Sequence, residues 1–210
     1  MNLYIIGPSH SAKTPISNQV AASINAIRIS ASDWVRNIFV PSGPVVTIED
    51  RQRTLEEITR FSQLLLAENP NRCIDYIRQN YPGMASQDGD FVLEGFRNPR
   101  DFLTLFNPVH DRVVFLTFPS SPLSPLIFET EGLALIEQTV NWFAKCGMMS
   151  AKRILKVCLN DFSEVEMVAE IIIKWAATKE YLSLEEQMKH PKECPWWYDW
   201  HACNCGALDQ

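Results

Sequence analysis

The sequence predicts an α/β fold, a five-stranded parallel sheet flanked by helices. Five short apolar runs, Leu3 to Ile6, Ala26 to Ile29, Phe91 to Leu93, Val113 to Phe118 and Ile154 to Leu159, alternate with segments of helical periodicity. Such alternation is the pattern of parallel strands joined by crossover helices. A chain of 210 residues with 46% hydrophobic content is long and apolar enough to bury one substantial core. The first run also opens directly into a polar turn that ends in Lys13-Thr14, a strand-to-helix junction of distinctive composition.

That junction reads Gly7-Pro8-Ser9-His10-Ser11-Ala12-Lys13-Thr14. It follows the phosphate-binding pattern of Gly, four variable residues, Gly, Lys and Ser or Thr, except that Ala12 replaces the second Gly. In this pattern a tight turn and a helix N-terminus aim backbone N–H groups at one point, where they hold phosphate oxygens. Gly7, Ser9, Ser11, Ala12, Lys13 and Thr14 are therefore the candidate nucleotide-binding residues, with Lys13 on the terminal phosphates and Thr14 on Mg²⁺. The Ala12 methyl stands where the chain normally lies against the phosphates, which would make the nest distorted or shallower. A Ser-rich turn that happens to carry Lys-Thr is the plainer alternative.

The remaining elements follow in order. Ile16, Val20 and Ile24 repeat at helical spacing after a Pro15 compatible with a first helical turn. Leu55, Ile58, Phe61 and Leu65 do the same, with Thr54 to Glu57 as the expected helix start. Asn69-Pro70 reads as a cap and first helical position, and Pro82-Gly83 as the stop of that helix. Pro119, Pro122 and Pro125 mark a loop before an amphipathic segment carrying Leu133, Ile136, Val140 and Phe143. Ser163 to Glu166 reads as a capping box ahead of an apolar stripe formed by Val165, Val168, Ala169, Ile172, Trp175 and Ala176.

Two further segments carry chemistry. Ile29-Ser30-Ala31-Ser32-Asp33-Trp34-Val35-Arg36 follows the second strand, and Phe91-Val92-Leu93-Glu94-Gly95-Phe96-Arg97 forms the third strand and its exit. With the loop, they resemble the P-loop nucleoside monophosphate kinases, adenylate kinases above all. There the second strand leads into Ser-Thr-Gly-Asp-x-x-Arg, and a later strand ends in Asp-Gly-Phe-Pro-Arg. Ser30, Asp33 and Arg36 match the first pattern. In the second, Glu94 replaces Asp, and Asn98-Pro99 shifts the proline and one arginine. The three matches cover about half of the chain.

The resemblance implies a P-loop NTPase-type sheet over residues 1–185, in which 40–85 form a helical insertion on the acceptor side. It implies ATP and Mg²⁺ as cofactors, with Thr14 and Glu94 near the metal and Glu94 reaching it through water. Asp33, Arg36, Glu94 and Arg97 would bind a second, phosphorylated substrate, and Lys13, Arg97 and Arg100 would be the catalytic cations. Asp33 either orients the acceptor or caps a helix, and Arg97 and Arg100 could instead pair with Asp101 or Glu94. Arg51, Arg53 and Arg60 could contribute on the acceptor side or form a solvated helix face.

In this family a mobile lid between the fourth and fifth strands carries several arginines, whereas Pro119 to Lys152 contains only Lys145 and Lys152 as cations. Phosphoryl transfer depends on positive charge around the migrating group. Two functional classes therefore stand. One is an ATP-dependent phosphotransferase acting on a nucleoside monophosphate or similar small phosphorylated acceptor, with Arg97, Arg100 or Arg153 replacing the lid charge. The other is a catalytically inactive nucleotide-binding or structural module. A kinase for modified bases in DNA is the more distant third, because a formal charge of −6 gives no general electrostatic reason to bind nucleic acid or acidic membranes.

No signal peptide or membrane-spanning run is visible, and Cys73, Cys146 and Cys158 read as reduced core residues, so a cytoplasmic location is expected. In the tail, 186–210, Cys194, His201, Cys203 and Cys205 could supply four ligands to a zinc ion, though not at the spacing of a standard knuckle. The alternative for Trp196, Trp197, Tyr198 and Trp200 is to cover an apolar surface, either this domain's own or that of a second subunit in a homo-oligomer.

Overall fold

Strands that are apolar on both faces need cover on both, and the computed structural model, which describes residues 1–86, 89–118 and 127–178, supplies it. Strand β1 (Asn2–Ile6) leads to helix α1 (Lys13–Ser23), β2 (Ile27–Ser30), α2 (Asp33–Arg36), α3 (Ile48–Glu68), α4 (Arg72–Asn80) and α5 (Gly83–Ser86). Then come β3 (Phe91–Glu94), α6 (Pro99–Leu105), β4 (Arg112–Thr117), α7 (Ile127–Lys145), β5 (Ile154–Cys158) and α8 (Val165–Ala176). The five strands form one sheet in the order β2-β3-β1-β4-β5 with every pairing parallel. The expected α/β class is thus observed.

Alternation along β1 divides the core. Leu3 and Ile5 point to one face and pack with Ile16 and Val20 of α1 and Val168 and Ile172 of α8. Tyr4 and Ile6 point to the other, where Phe102 of α6 and Ile136, Val140 and Phe143 of α7 cover them. Helix α7 is the amphipathic segment expected between the fourth and fifth strands, in the region where the resembled family carries its lid. Its buried Ile136, Val140 and Phe143 commit it to the core. Gly132 of this helix lies so close to the main chain that a Cβ there would meet the Arg97 carbonyl oxygen at 2.1 Å.

The chain runs from β1 past β3 to β2, and from β3 past β1 to β4. Crossovers that diverge in this way open a crevice at the carboxyl ends of the strands. The register aligns Glu94 with both Ile5 and Ser30, so the exits of β1, β2 and β3 meet at that crevice.

Several local expectations are corrected. Helix α3 begins at Ile48, not near Thr54, because Thr47 and Asp50 form a reciprocal capping box. Helix α4 starts at Arg72, two residues beyond Pro70, since Asn69 accepts from the Asn71 N–H and holds the turn open. Ser163 does not cap α8; Asp161 caps a 3₁₀ turn, Phe162–Glu164, that precedes it. Cys73 is buried, but Cys146 is only partly so and Cys158 is exposed, at the end of edge strand β5. The tail and its four proposed zinc ligands lie outside the described residues, as do 119–126.

Candidate functional site

The loop after β1 is held from below. A Cβ on Gly7 would lie 2.7 Å from the Leu116 carbonyl oxygen of β4, so only glycine lets the two strands approach this closely. The Ser11 N–H donates to the Pro8 carbonyl at 3.3 Å, closing the turn. Ala12 then adopts φ 57°, ψ 19°, the left-handed conformation that the glycine of the motif supplies without cost. Alanine has kept the path of the loop and taken on its strain.

Lys13, 7% exposed, folds back over the turn. Its Nζ donates to the Pro8 carbonyl oxygen and, at 3.3 Å, to Ser11 Oγ. Thr14 Oγ1 donates to Glu94 Oε1 at 3.0 Å. That carboxylate, 3% exposed at the end of β3, also receives the guanidinium of Arg28 from β2, whose Nε donates to Ser17 Oγ at 3.1 Å. Arg97, leaving β3, donates to Ser9 Oγ at 2.6 Å and ties the third strand's exit to the loop.

These groups share one cleft of about 570 Å³. Ser9, Ala12, Lys13, Thr14, Arg36, Glu94 and Arg97 line it, so the structure brings together most of the residues singled out from sequence. Gly7 and Ser11 lie behind the wall and shape the loop. Asp33 opens α2 within electrostatic reach of Tyr81 and does not line the cleft. Arg100 is exposed and donates to Asn71 Oδ1 at 3.0 Å, outside the cleft. Arg153 donates to the Val109 carbonyl and is likewise elsewhere.

The cleft includes residues that sequence reasoning did not select. Thr54 comes from α3, whose Arg51, weighed from sequence as an acceptor-side or solvated cation, also lines the cleft, and Phe39 and Val45 come from the connection before it. Phe162 stands 53% exposed at the opposite rim, edge-on to Phe118. Arg28 sits in a strand of alternating pattern, Ile27-Arg28-Ile29-Ser30, and nothing in that spacing signals a partner sixty-six residues away.

A second chamber of about 340 Å³ adjoins the first, sharing Ser32, Arg36, Leu55, Ile58, Gly95 and Arg97 with it. Asp101 of α6 lines this chamber. Burial pushes its carboxyl up to about 6, against the opposing influence of the Arg100 charge and a hydrogen bond from Cys73. The Cys73 thiol is pushed well up, first by burial and then by the Asp101 charge.

No protein-family model matches the chain, and no curated protein sequence matches it. Among solved structures it is similar to a sugar kinase from Janibacter sp., at 17% identity over 83% of this chain and 93% of that one, with a TM-score of 0.40. It is also similar to a dephospho-CoA kinase from Campylobacter jejuni, at 13% identity over 82% and 95%, TM-score 0.41. A gluconokinase from Sinorhizobium meliloti is a third, at 13% identity over 81% and 94%, TM-score 0.34. At such TM-scores these likenesses transfer neither activity nor substrate. No described helix is long and apolar enough to cross a membrane.

Proposed function

We propose that this protein binds ATP through the loop from Gly7 to Thr14 and transfers its terminal phosphoryl group to a small phosphorylated acceptor, of which a nucleoside monophosphate is the best fit. The observation that carries this reading is the single cleft in which Lys13 and the turn of the loop face Arg36, Arg51 and Arg97. Four cations around one space suit two phosphate-bearing substrates in a protein of net negative charge.

In this reading, Lys13 exchanges the Pro8 carbonyl for phosphate oxygens, and Arg97 bridges the phosphates of donor and acceptor from its place beside Ser9. Arg36 and Arg51 orient the acceptor phosphate from the far wall. An acceptor phosphate oxygen attacks the terminal phosphorus, the bond to the bridging oxygen breaks, and ADP leaves with the electron pair. Thr14 and Glu94 fit Mg²⁺, since they offer hard oxygens 3.0 Å apart at the cleft wall. When bound there, the ion would neutralise charge on the phosphates. Among the described residues no cluster of three His, Cys, Asp or Glu side chains offers a metal another site.

A second reading, a nucleotide-binding module without turnover, is favoured by two specific observations. Ala12 places a methyl in the nest, and α7, packed into the core, brings no arginine to the cleft. Incubating the full chain with ATP, Mg²⁺ and each of AMP, GMP, CMP and UMP separates the readings. A diphosphate product from at least one acceptor supports transfer; ATP binding with no product from any of them supports the module.

A further inference from the structure

The second chamber has an uneven chemistry. Trp34, Val35, Leu66 and Phe96 contribute apolar wall, yet the buried polar atoms there include Thr59 Oγ1 on α3 and Asp101 Oδ1 on α6, neither of which has a hydrogen-bond partner among the described residues. Thr59 is 9% exposed and Asp101 5%. A buried acceptor left unmet costs on the order of 1–3 kcal/mol, and a charged one more, so two such atoms on facing elements of one cavity point to a ligand that meets them.

We propose that this chamber takes a guanine base, with Asp101 as the residue that selects it and Thr59 as a second edge contact. The proposal rests on the reading of the adjoining cleft as a mononucleotide site, and it adds the identity of the acceptor. Because the chambers share Arg36 and Arg97, a base lodged against Asp101 leaves its phosphate toward those two cations.

The apolar wall favours a flat base over a sugar or polyol. Trp34, Val35, Leu66 and Phe96 suit the two apolar faces of a base, whose polarity lies only at its edge, where Thr59, Ser62, Gln63, Asn98 and Asp101 line the same chamber; a polyol would turn hydroxyls toward the apolar wall as well. Among base edges, guanine alone sets two N–H donors side by side, N1–H and the 2-amino group. An ionised carboxylate only accepts, so it matches that pair. Adenine and cytosine place a ring-nitrogen lone pair beside their amino group, and uracil flanks its one N–H with two carbonyls; each would turn a lone pair toward Asp101. Burial raises the Asp101 carboxyl only to about 6, so it is ionised near neutral pH.

Calorimetric titration of the full chain with GMP, AMP, CMP and UMP near neutral pH tests this. GMP is expected to bind at least about tenfold more tightly than AMP. In Asp101→Asn, whose amide offers one donor and one acceptor, that ratio is expected to fall to about one, through weaker GMP binding. Thr59→Val is expected to reduce it by a smaller factor. A wild-type GMP-to-AMP ratio within about threefold, or a preference unchanged in Asp101→Asn, overturns the proposal and leaves the mononucleotide reading standing. Absence of binding by all four nucleotides overturns both.

Discussion

On the loop wall of the cleft, Lys13, Glu94 and Arg97 each hold a protein partner, whereas Thr54 Oγ1 on the α3 side of the cleft and, in the adjoining chamber, Thr59 Oγ1 and Asp101 Oδ1 hold none among the described residues. The loop wall is therefore tied to protein groups at Lys13, Glu94 and Arg97. A phosphate arriving there trades one set of hydrogen bonds for another, and its gain comes from charge meeting charge. The unmet atoms carry a desolvation cost in the free protein, and a ligand with the right edge relieves it. In the proposed reading, the cleft is a general anion site and the adjoining chamber holds the unmet groups that discriminate.

Removing a group that holds the loop in place should destabilise the fold, whereas removing the buried charge of the second chamber should stabilise it. The largest effect is expected at Gly7. Replacing it with Ala drives a Cβ against main chain at 2.7 Å, so strand β1 or β4 must move, at a cost on the order of 3 kcal/mol in urea denaturation. Next, Arg28→Met strips Glu94 of its guanidinium and is expected to destabilise the fold by about 2 kcal/mol, less than a fully buried pair because Arg28 is a quarter exposed.

Asp101→Asn should do the reverse and stabilise the free protein near neutral pH by about 1–2 kcal/mol. The sign follows from the direction of its shift. A carboxyl whose folded value is raised from 3.8 to about 6 binds more protons folded than unfolded between those values. Its contribution to stability is fully present below the unfolded value and is lost as pH rises through about 6. Denaturation curves at either side of that window should differ in the wild type by more than in Asp101→Asn. The smallest effect is expected at Ala12, where Gly relieves a left-handed alanine and gains at most about 1 kcal/mol, offset by the greater freedom of glycine in the unfolded chain.

The sheet was legible from sequence because buried strands are short apolar runs: each of the five expected runs overlaps an observed strand to within a residue or two. Helix starts were less so. Thr47 and Asp50 form a capping box as competent as the one expected near Thr54, and the sequence does not say which wins. On the site, the loop and the exits of β2 and β3 could be read because each is a contiguous segment with its own chemistry. The second chamber could not. Its wall is assembled from Ala31 to Arg36, Leu55 to Leu66, Cys73, Gly95 to Asp101 and Gly132, and only packing brings together Thr59 and Asp101 from different helices. Arg28 was hidden for the same reason, whereas α7 was legible from the helical spacing of Ile136, Val140 and Phe143.

In the proposed reading, the left-handed Ala12 and the Lys13 after it still form a working phosphate site. Calorimetric titration of the wild type and of Lys13→Ala with ATP in the presence of Mg²⁺ tests it most directly, with thermal melting of both to establish that the fold is intact. The expected result is saturable wild-type binding at submillimolar ATP that weakens at least about tenfold in the variant at comparable stability. Wild-type protein that takes up no ATP at millimolar concentration, or a variant that binds as tightly as the wild type, would contradict it.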